Sequence, residues 1–240
     1  MNPVSILRAA AEEVFRDFDG RVLPLTLKPG LDAAALERFS ARLGLPLPLE
    51  IRELLSYAQG FDFPPVDRVD FCGREVFEFR SVFPRGIVLA GDGFGNSWVV
   101  DVDPVMGGWG PVFFASHDPP VVVLQSPNLG LFLQELFNLG RPGRPSALER
   151  VRGEASASVW RERSGAIQRT EAARSDDADL AAFAVSLPEH AEIYDLRQFA
   201  EGLGFALGNT GKCIRHASLR LFALENKPPR KSFWLRLFPG

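Results

Sequence analysis

The alternation of hydrophobic and polar positions is clearest between Ile87 and Asp103, where two β-rich runs flank a turn. The first run is Ile-Val-Leu-Ala, the turn is Gly-Asp-Gly-Phe-Gly-Asn, and the second run is Ser-Trp-Val-Val-Asp-Val-Asp. This pattern is typical of a β-hairpin, because glycine reaches the positive φ angles that tight turns need. Alternation places Trp98, Val100 and Val102 on one face of the second strand. A buried tryptophan removes roughly 150–250 Å² from water, so we expect Trp98 to anchor a core and the hairpin to lie at the centre of an antiparallel sheet.

Helical periodicity appears on both sides of this hairpin. Apolar residues recur at three- and four-residue steps, and capping residues or glycines mark the ends of each stretch. Between the stretches, short β-rich segments predict further strands, including an edge strand over Arg21–Lys28 that contains a proline. The pattern predicts an α+β fold, with helices on one face of a mostly antiparallel sheet. The predicted helices run from Pro3 to Gly20, from Asp32 to Gly44, from Pro48 to Gly60 and from Ser126 to Gly140.

The segment from Arg141 to Pro145 reads as a domain boundary because it is rich in proline and glycine. We therefore expect one domain over residues 1–142 and a second, small α+β region over residues 143–240, whose role the sequence leaves open. In the second region the pattern predicts two hairpins, a strand and two helices. The hairpins span 159–170 and 218–238, the strand spans 193–196, and the helices span 176–187 and 196–203.

Charge is distributed unevenly along the chain. Residues 1–142 carry 12 Lys+Arg and 18 Asp+Glu, a net charge of −6, whereas residues 143–240 carry 15 and 12, a net charge of +3. An acidic first part argues against direct binding to nucleic acid and suits a basic protein partner. Solubility alone would account for the same charge equally well.

The sequence also predicts the cellular location of the protein and the state of its cysteines. No window approaches 18 consecutive apolar residues, and the first twenty residues carry four carboxylates and lack a signal-peptide core. Cys72 and Cys213 lie far apart and match no metal-binding spacing. We expect a cytoplasmic protein with free thiols and no contact with a membrane.

Residues that could carry chemistry do not form an established catalytic or cofactor motif. The glycine-rich turn lacks Gly-Lys-Ser/Thr and leads into a strand instead of a helix, so a structural turn is favoured over a phosphate loop. Asp92, Asn96, Asp101 and Asp103 lack the spacing of a calcium loop. His117 and Asp118 are neighbours on a predicted strand end, where adjacent side chains point apart. We therefore assign no catalytic residue, cofactor or metal.

Three motifs nevertheless occur in a characteristic order. They are LPLPLEIRELLSYAQG over Leu45–Gly60, GDGFGNSW over Gly91–Trp98, and the stretch from Gly110 to Asp118 followed by the closing helix. Together they resemble the SMI1/KNR4 family, also called the SUKH superfamily, over roughly residues 30–140. Family members commonly have Asn-Gly after the tyrosine, where this chain has Ala58-Gln59-Gly60.

The resemblance implies an α+β fold and a protein-binding, non-catalytic role. Many bacterial members look like immunity proteins that bind and neutralise a toxin domain, often a nuclease, while others look like regulatory scaffolds. The alternatives are a scaffold without a toxin partner and an enzyme with a site at the junction with 143–240. Phe94 either projects from its turn towards a partner or folds back onto the sheet. The candidate partner-binding residues are Tyr57, Gln59, Asp92, Phe94, Asn96, Asp101, His117 and Asp118.

Overall fold

The computed structural model describes residues 2–73, 78–105, 107–162, 165–198, 200–207 and 212–225. In this part of the chain the strands form an eight-stranded sheet (the large sheet), a four-stranded sheet (the small sheet) and a two-stranded hairpin. All paired strands are antiparallel, and the predicted α+β fold is confirmed. Within the same ranges, none of the helices combines the length and apolarity needed to cross a bilayer.

The helices begin mostly at side chains that accept a hydrogen bond from the first turn. Asn2, Asp32, Asn128 and Asp177 act in this way. The α-helices are α1 (Pro3–Ala11), α2 (Ala33–Leu43), α3 (Leu49–Tyr57), α4 (Leu129–Asn138), α5 (Ala147–Arg150), α6 (Ser156–Glu162), α7 (Arg169–Ala172) and α8 (Ala178–Val185). Short 3-10 turns occupy Pro64–Val66 and Glu78–Ser81, and a π-helical turn at Val151–Ala155 joins α5 to α6.

The strands are short, and most are linked to the next along the chain by turns. They are β1 (Phe15–Arg16), β2 (Val22–Leu23), β3 (Thr26–Pro29), β4 (Ala58–Phe63), β5 (Asp67–Asp70), β6 (Ile87–Gly91), β7 (Ser97–Val102), β8 (Trp109–His117), β9 (Pro120–Ser126), β10 (Ala166–Gln168), β11 (Ala191–Asp195), β12 (Gly204–Ala206), β13 (Cys213–Arg215) and β14 (Leu221–Glu225).

The large sheet runs in the order β12-β9-β8-β7-β6-β5-β4-β3, so the β6–β7 hairpin lies at its centre, as the sequence predicts. One face packs against α1 to α4 through a core that includes Leu54, Phe132 and the fully buried Trp98. The indole of Trp98 donates a hydrogen bond to the Gln125 side chain at 3.0 Å, so its one polar group is satisfied in the core.

The opposite face of the large sheet is covered by the C-terminal part of the chain. Val99 and Phe113 pack there against Tyr194 and Phe222, which lie in the small sheet (order β10-β11-β14-β13). Strand β12 also pairs directly with β9, with Phe205 opposite Val122. Residues beyond the predicted boundary at 141–145 therefore complete the sheet and its second core, while the division of the chain into two domains stays a prediction.

The predicted first helix is too long. Helix α1 ends at Ala11, and the next residues form the β1–β2 hairpin, leaving Val14 and Phe18 exposed. The reason is the burial of Phe15, whose ring centroid lies 5.1 Å from that of Phe63. This tertiary contact outweighs the helical periodicity of the surrounding residues.

Two other local predictions are wrong. Gly60 lies within β4 instead of ending a helix, and a Cβ atom there would lie 2.2 Å from the Val69 carbonyl oxygen, so the residue permits close approach of two strands. The predicted hairpin over 159–170 is replaced by α6, β10 and α7.

The other boundaries differ in smaller ways. Asn128 caps α4 in place of Ser126, which ends β9, and the described residues of 196–203 form bends and turns instead of a helix. Of the predicted hairpin over 218–238, the first strand corresponds to β14, and the part from 226 onward lies outside the described residues.

Candidate functional site

The glycine-rich turn between β6 and β7 is held by its own side chains. The Asp92 carboxylate accepts hydrogen bonds from the backbone N–H groups of Phe94 at 2.9 Å and Asn96 at 3.1 Å. Gly93 and Gly95 adopt φ angles of 80° and 89°, which are left-handed values that favour glycine. Asp92 thus organises the turn from within, and its carboxylate is largely engaged.

Asn96 connects this turn to the end of β8. Its amide nitrogen donates to Asp92 at 2.7 Å, while its amide oxygen accepts from the backbone N–H of His117 at 3.1 Å. A carboxylate only accepts and a backbone N–H only donates, so these two partners fix the orientation of the Asn96 side chain. The sequence alone does not reveal this link, because the two residues are 21 positions apart.

The same geometry determines the tautomer of His117. Its Nδ1 lies 3.0 Å from the Asn96 amide oxygen, which has no hydrogen to give. Nδ1 must therefore carry the proton, and in the neutral ring Nε2 has a free lone pair. The imidazole also lies against the turn, since a Cβ on Gly95 would come within 2.9 Å of His117 Cε1. His117 is exposed, so Nε2 is presented as an oriented acceptor.

Phe94 projects from the tip of the turn. Its side chain is 76% exposed. Of the two alternatives for Phe94, the ring therefore projects from the turn and does not fold back onto the sheet. Asp118 is also exposed, next to His117 in the β8–β9 turn. We call the group Asp92, Phe94, Asn96, His117 and Asp118 the Phe94 surface. Five of the eight candidate residues are thus brought together.

Tyr57 and Gln59 lie elsewhere. Gln59 follows α3 in β4, and its carbonyl accepts from the Phe71 N–H. The register of β4 with β5 places Gln59 beside Phe71, two residues beyond Val69. Because Val69 pairs with Ala90 in the antiparallel β6, Gln59 lies level with the Ile87 end of β6, whereas the glycine turn follows the other end. Tyr57 is half-buried beneath Arg8, whose guanidinium carbon is 5.1 Å from the ring centroid. These two residues do not join the Phe94 surface.

Asp101 is the clearest correction among the candidates. The sequence predicts an exposed residue that contacts a partner, but Asp101 is 2% exposed. Its carboxylate accepts two hydrogen bonds from Arg215 at 2.8 and 2.7 Å, and the Arg220 Nε lies 3.5 Å away. Burial lowers the pKa of Arg220, an effect that Asp101 opposes. Asp101 therefore joins the large sheet to the C-terminal part of the chain.

A cleft beside the turn was not predicted from the sequence. Among the described residues, β5 and β6 share one register pair, Val69 with Ala90. If the antiparallel register continued by two residues, Asp67 would stand opposite Asp92. Like charges in that position are unfavourable, and the strands instead diverge around a cleft of about 290 Å³ lined by Asp67 and Gly93. Asp67 has φ 59° and ψ −69°, a strained conformation for a residue with a side chain. The preceding Pro64-Pro65 pair was the signal for an irregular backbone here.

The described residues contain no group of three or more His, Cys, Asp or Glu side chains placed to hold a metal ion. Asp103, grouped with Asp92 and Asp101 in the sequence, instead accepts a hydrogen bond from the Val105 N–H at 2.8 Å. The carboxylates considered as calcium ligands are thus separately engaged.

Fold and surface together define an α+β protein in which a central antiparallel sheet, covered by helices on one face, presents an ordered loop surface at its strand ends. Residues 30–135 match the model of the SMI1/KNR4 family (SUKH-1), and this match confirms the resemblance seen in the motifs. The chain extends beyond this match to residue 240. Comparisons with curated proteins and with solved structures give no significant match.

Proposed function

We propose that this protein is a non-catalytic binding module of the immunity type, which binds and neutralises a basic toxin domain through the Phe94 surface. The match to the SMI1/KNR4 family supports a role of this kind, since its members are generally non-catalytic immunity proteins. The observation that carries the proposal is the 76% exposure of Phe94 on a turn whose backbone is held by internal hydrogen bonds.

The turn that carries Phe94 is preorganised for binding. A large aromatic side chain on a rigid turn loses little conformational entropy when a partner covers it, and such residues often dominate binding energy. Asp118 is exposed in the adjoining turn, and Asp67 lines the neighbouring cleft together with Arg68 and Asp70, so acidic side chains outnumber basic ones beside the Phe94 surface. A basic partner would gain both the apolar contact and electrostatic steering.

The test takes as its probe any toxin domain that a gene beside the one for this protein encodes. Phe94→Ala is expected to weaken the complex at least about 30-fold, the loss of a central aromatic anchor of about 2 kcal/mol or more. The matched control is Leu49→Ala, since Leu49 is 73% exposed but lies at the start of α3. Affinity is measured by isothermal titration calorimetry. Absence of a complex with the wild-type chain contradicts the proposed function, and equal losses in the two variants contradict the assignment of the surface.

A further inference from the structure

A second cleft lies at the other end of β6 from the glycine turn. Its volume is about 430 Å³, and it is formed by the end of α2, by Cys72 and Gly73 after β5, and by the segment from Arg80 to Ile87. Strand β6 has five residues, so at about 3.3 Å per residue its two ends stand roughly 13 Å apart. The cleft is thus distinct from the Phe94 surface.

Among the residues that the structure describes, the charged side chains lining this cleft are all arginines: Arg42, Arg80 and Arg85. Arg42 donates to the Cys72 carbonyl and Arg85 to the Leu43 carbonyl, each at 2.8 Å. These neutral acceptors hold the two guanidinium groups in place without neutralising them. None of the three arginines is ion-paired with a carboxylate of the described residues. Counting only the described residues, three arginines therefore line one concave site, in the first part of the chain, whose net charge is negative.

We propose that this arginine cleft binds a phosphate group. A phosphate monoester carries a charge of about −1.5 to −2 and three strong acceptor oxygens, whereas a carboxylate carries a single negative charge and would leave more of the arginine repulsion unbalanced. Guanidinium groups suit phosphate because their donors pair with two oxygens at once. The cleft also has the size of a small-ligand site, for which about 300–1,000 Å³ is usual. A free phosphate ester and a phosphorylated protein side chain share this chemistry.

The experiment measures phosphate binding to the full chain at constant ionic strength. Inorganic phosphate is titrated by calorimetry against the wild type, Arg80→Gln and Arg85→Gln. Arg80 is exposed, and its side chain forms no hydrogen bond or ion pair with the described residues, so its substitution is expected to spare the fold. The matched control, Arg38→Gln, removes the same charge from an exposed position on α2 that does not line the cleft. Each cleft variant is expected to bind phosphate about tenfold more weakly, the loss of one charge-assisted contact, and the control is expected to match the wild type.

Two results would overturn the assignment: a wild type that does not bind phosphate, or an Arg38→Gln loss as large as that of Arg80→Gln, which would show that net charge alone matters. A phosphoserine peptide and its unphosphorylated form identify the source. Tighter binding of the phosphopeptide than of inorganic phosphate assigns the group to a protein, and equal affinities assign it to a small ester. Neither result depends on the toxin complex, so this proposal and the proposed function can fail separately.

Discussion

Replacing Asp101 with asparagine tests how much the buried ion cluster between the large sheet and the C-terminal part contributes to folding. The Asp101 and Arg215 side chains are 3% and 10% exposed, so both groups have given up nearly all of their hydration. Asparagine keeps the volume of aspartate but removes its charge. The perturbation therefore leaves Arg215 and Arg220 in the interior without their shared carboxylate.

The magnitude follows from the contacts that are lost. Two hydrogen bonds, at 2.8 and 2.7 Å, join Asp101 to Arg215, and each charge-assisted bond contributes about 1.5–3 kcal/mol. Asparagine keeps one acceptor oxygen for Arg215 but turns an NH2 donor towards the other guanidinium N–H, so one bond is lost and the other loses its negative charge. Arg215 keeps a bond to the Val82 carbonyl at 3.1 Å and its position over the Phe222 ring at 5.2 Å. Loss of one partner from a buried pair typically costs about 3–5 kcal/mol, and the surviving contacts place Asp101→Asn near the lower end of that range.

The assay is urea denaturation of the full chain, followed by tryptophan fluorescence, to which the buried Trp98 contributes, and by circular dichroism. The control is Asp62→Asn, since Asp62 pairs with Lys28 at 3.2 Å but its side chain is 53% exposed. Surface pairs contribute about 0–1 kcal/mol, so the control is expected to lower the free energy of unfolding by less than that. A wild-type-like free energy of unfolding for Asp101→Asn would refute the reasoning, because a buried charge would then have lost its partner at no cost.

Two further predictions concern titratable groups. Hydrogen bonds from Arg197 lower the pKa of Asp177 from 3.8 to about 2. Because the pKa is lower in the folded state than in the unfolded state, the ionised Asp177 stabilises the fold above the unfolded pKa. This stabilisation of the fold is lost as the pH falls through about 2. Asp177→Asn retains a capping side chain for α8 and should lower the free energy of unfolding at neutral pH. In urea denaturation, the difference in this free energy from the wild type should shrink as the pH falls from about 4 to 2. A difference that does not vary with pH contradicts this. His117 is expected to carry its proton on Nδ1 in the neutral ring, and two-bond ¹⁵N–¹H correlation spectra recorded in alkaline buffer would show which nitrogen is protonated. Asn96→Ala should abolish that preference, and a wild-type ring protonated on Nε2 would show that the hydrogen bond to Asn96 is not formed.

Features that depend on neighbouring residues could be predicted from the sequence. Asp32 accepts from the Ala35 N–H at 2.7 Å and Gly44 closes α2 with φ 68°, both as their positions indicate. Trp98 is buried on the face that alternation assigns to it. These outcomes follow from local hydrogen bonding and from a two-residue period, which the order of residues determines directly.

Features that depend on distant residues could not be predicted. Phe15 leaves the helical pattern because Phe63 and Phe137 pack against it, and these contacts are visible only once the chain is folded. In the sequence, Asp101 is an ordinary polar residue on a strand. Its partner Arg215 lies 114 positions away, so their ion pair is evident only in the folded chain. The candidate site shows the same limit, since the turn could be recognised locally while the contact of Asn96 with His117 could not.

The arrangement of layers explains why a partner would engage the ends of the strands. Helices α1 to α4 cover one face of the large sheet, and residues outside the family match, including Phe205 and Phe222, cover the other. A partner cannot reach either sheet face without displacing these buried side chains, at a cost of roughly 1.5–3 kcal/mol for each large apolar residue exposed. The strand ends require no such displacement. At one of them, Phe94 already stands in solvent on an ordered turn, and this favours the Phe94 surface over the sheet faces as the site of docking.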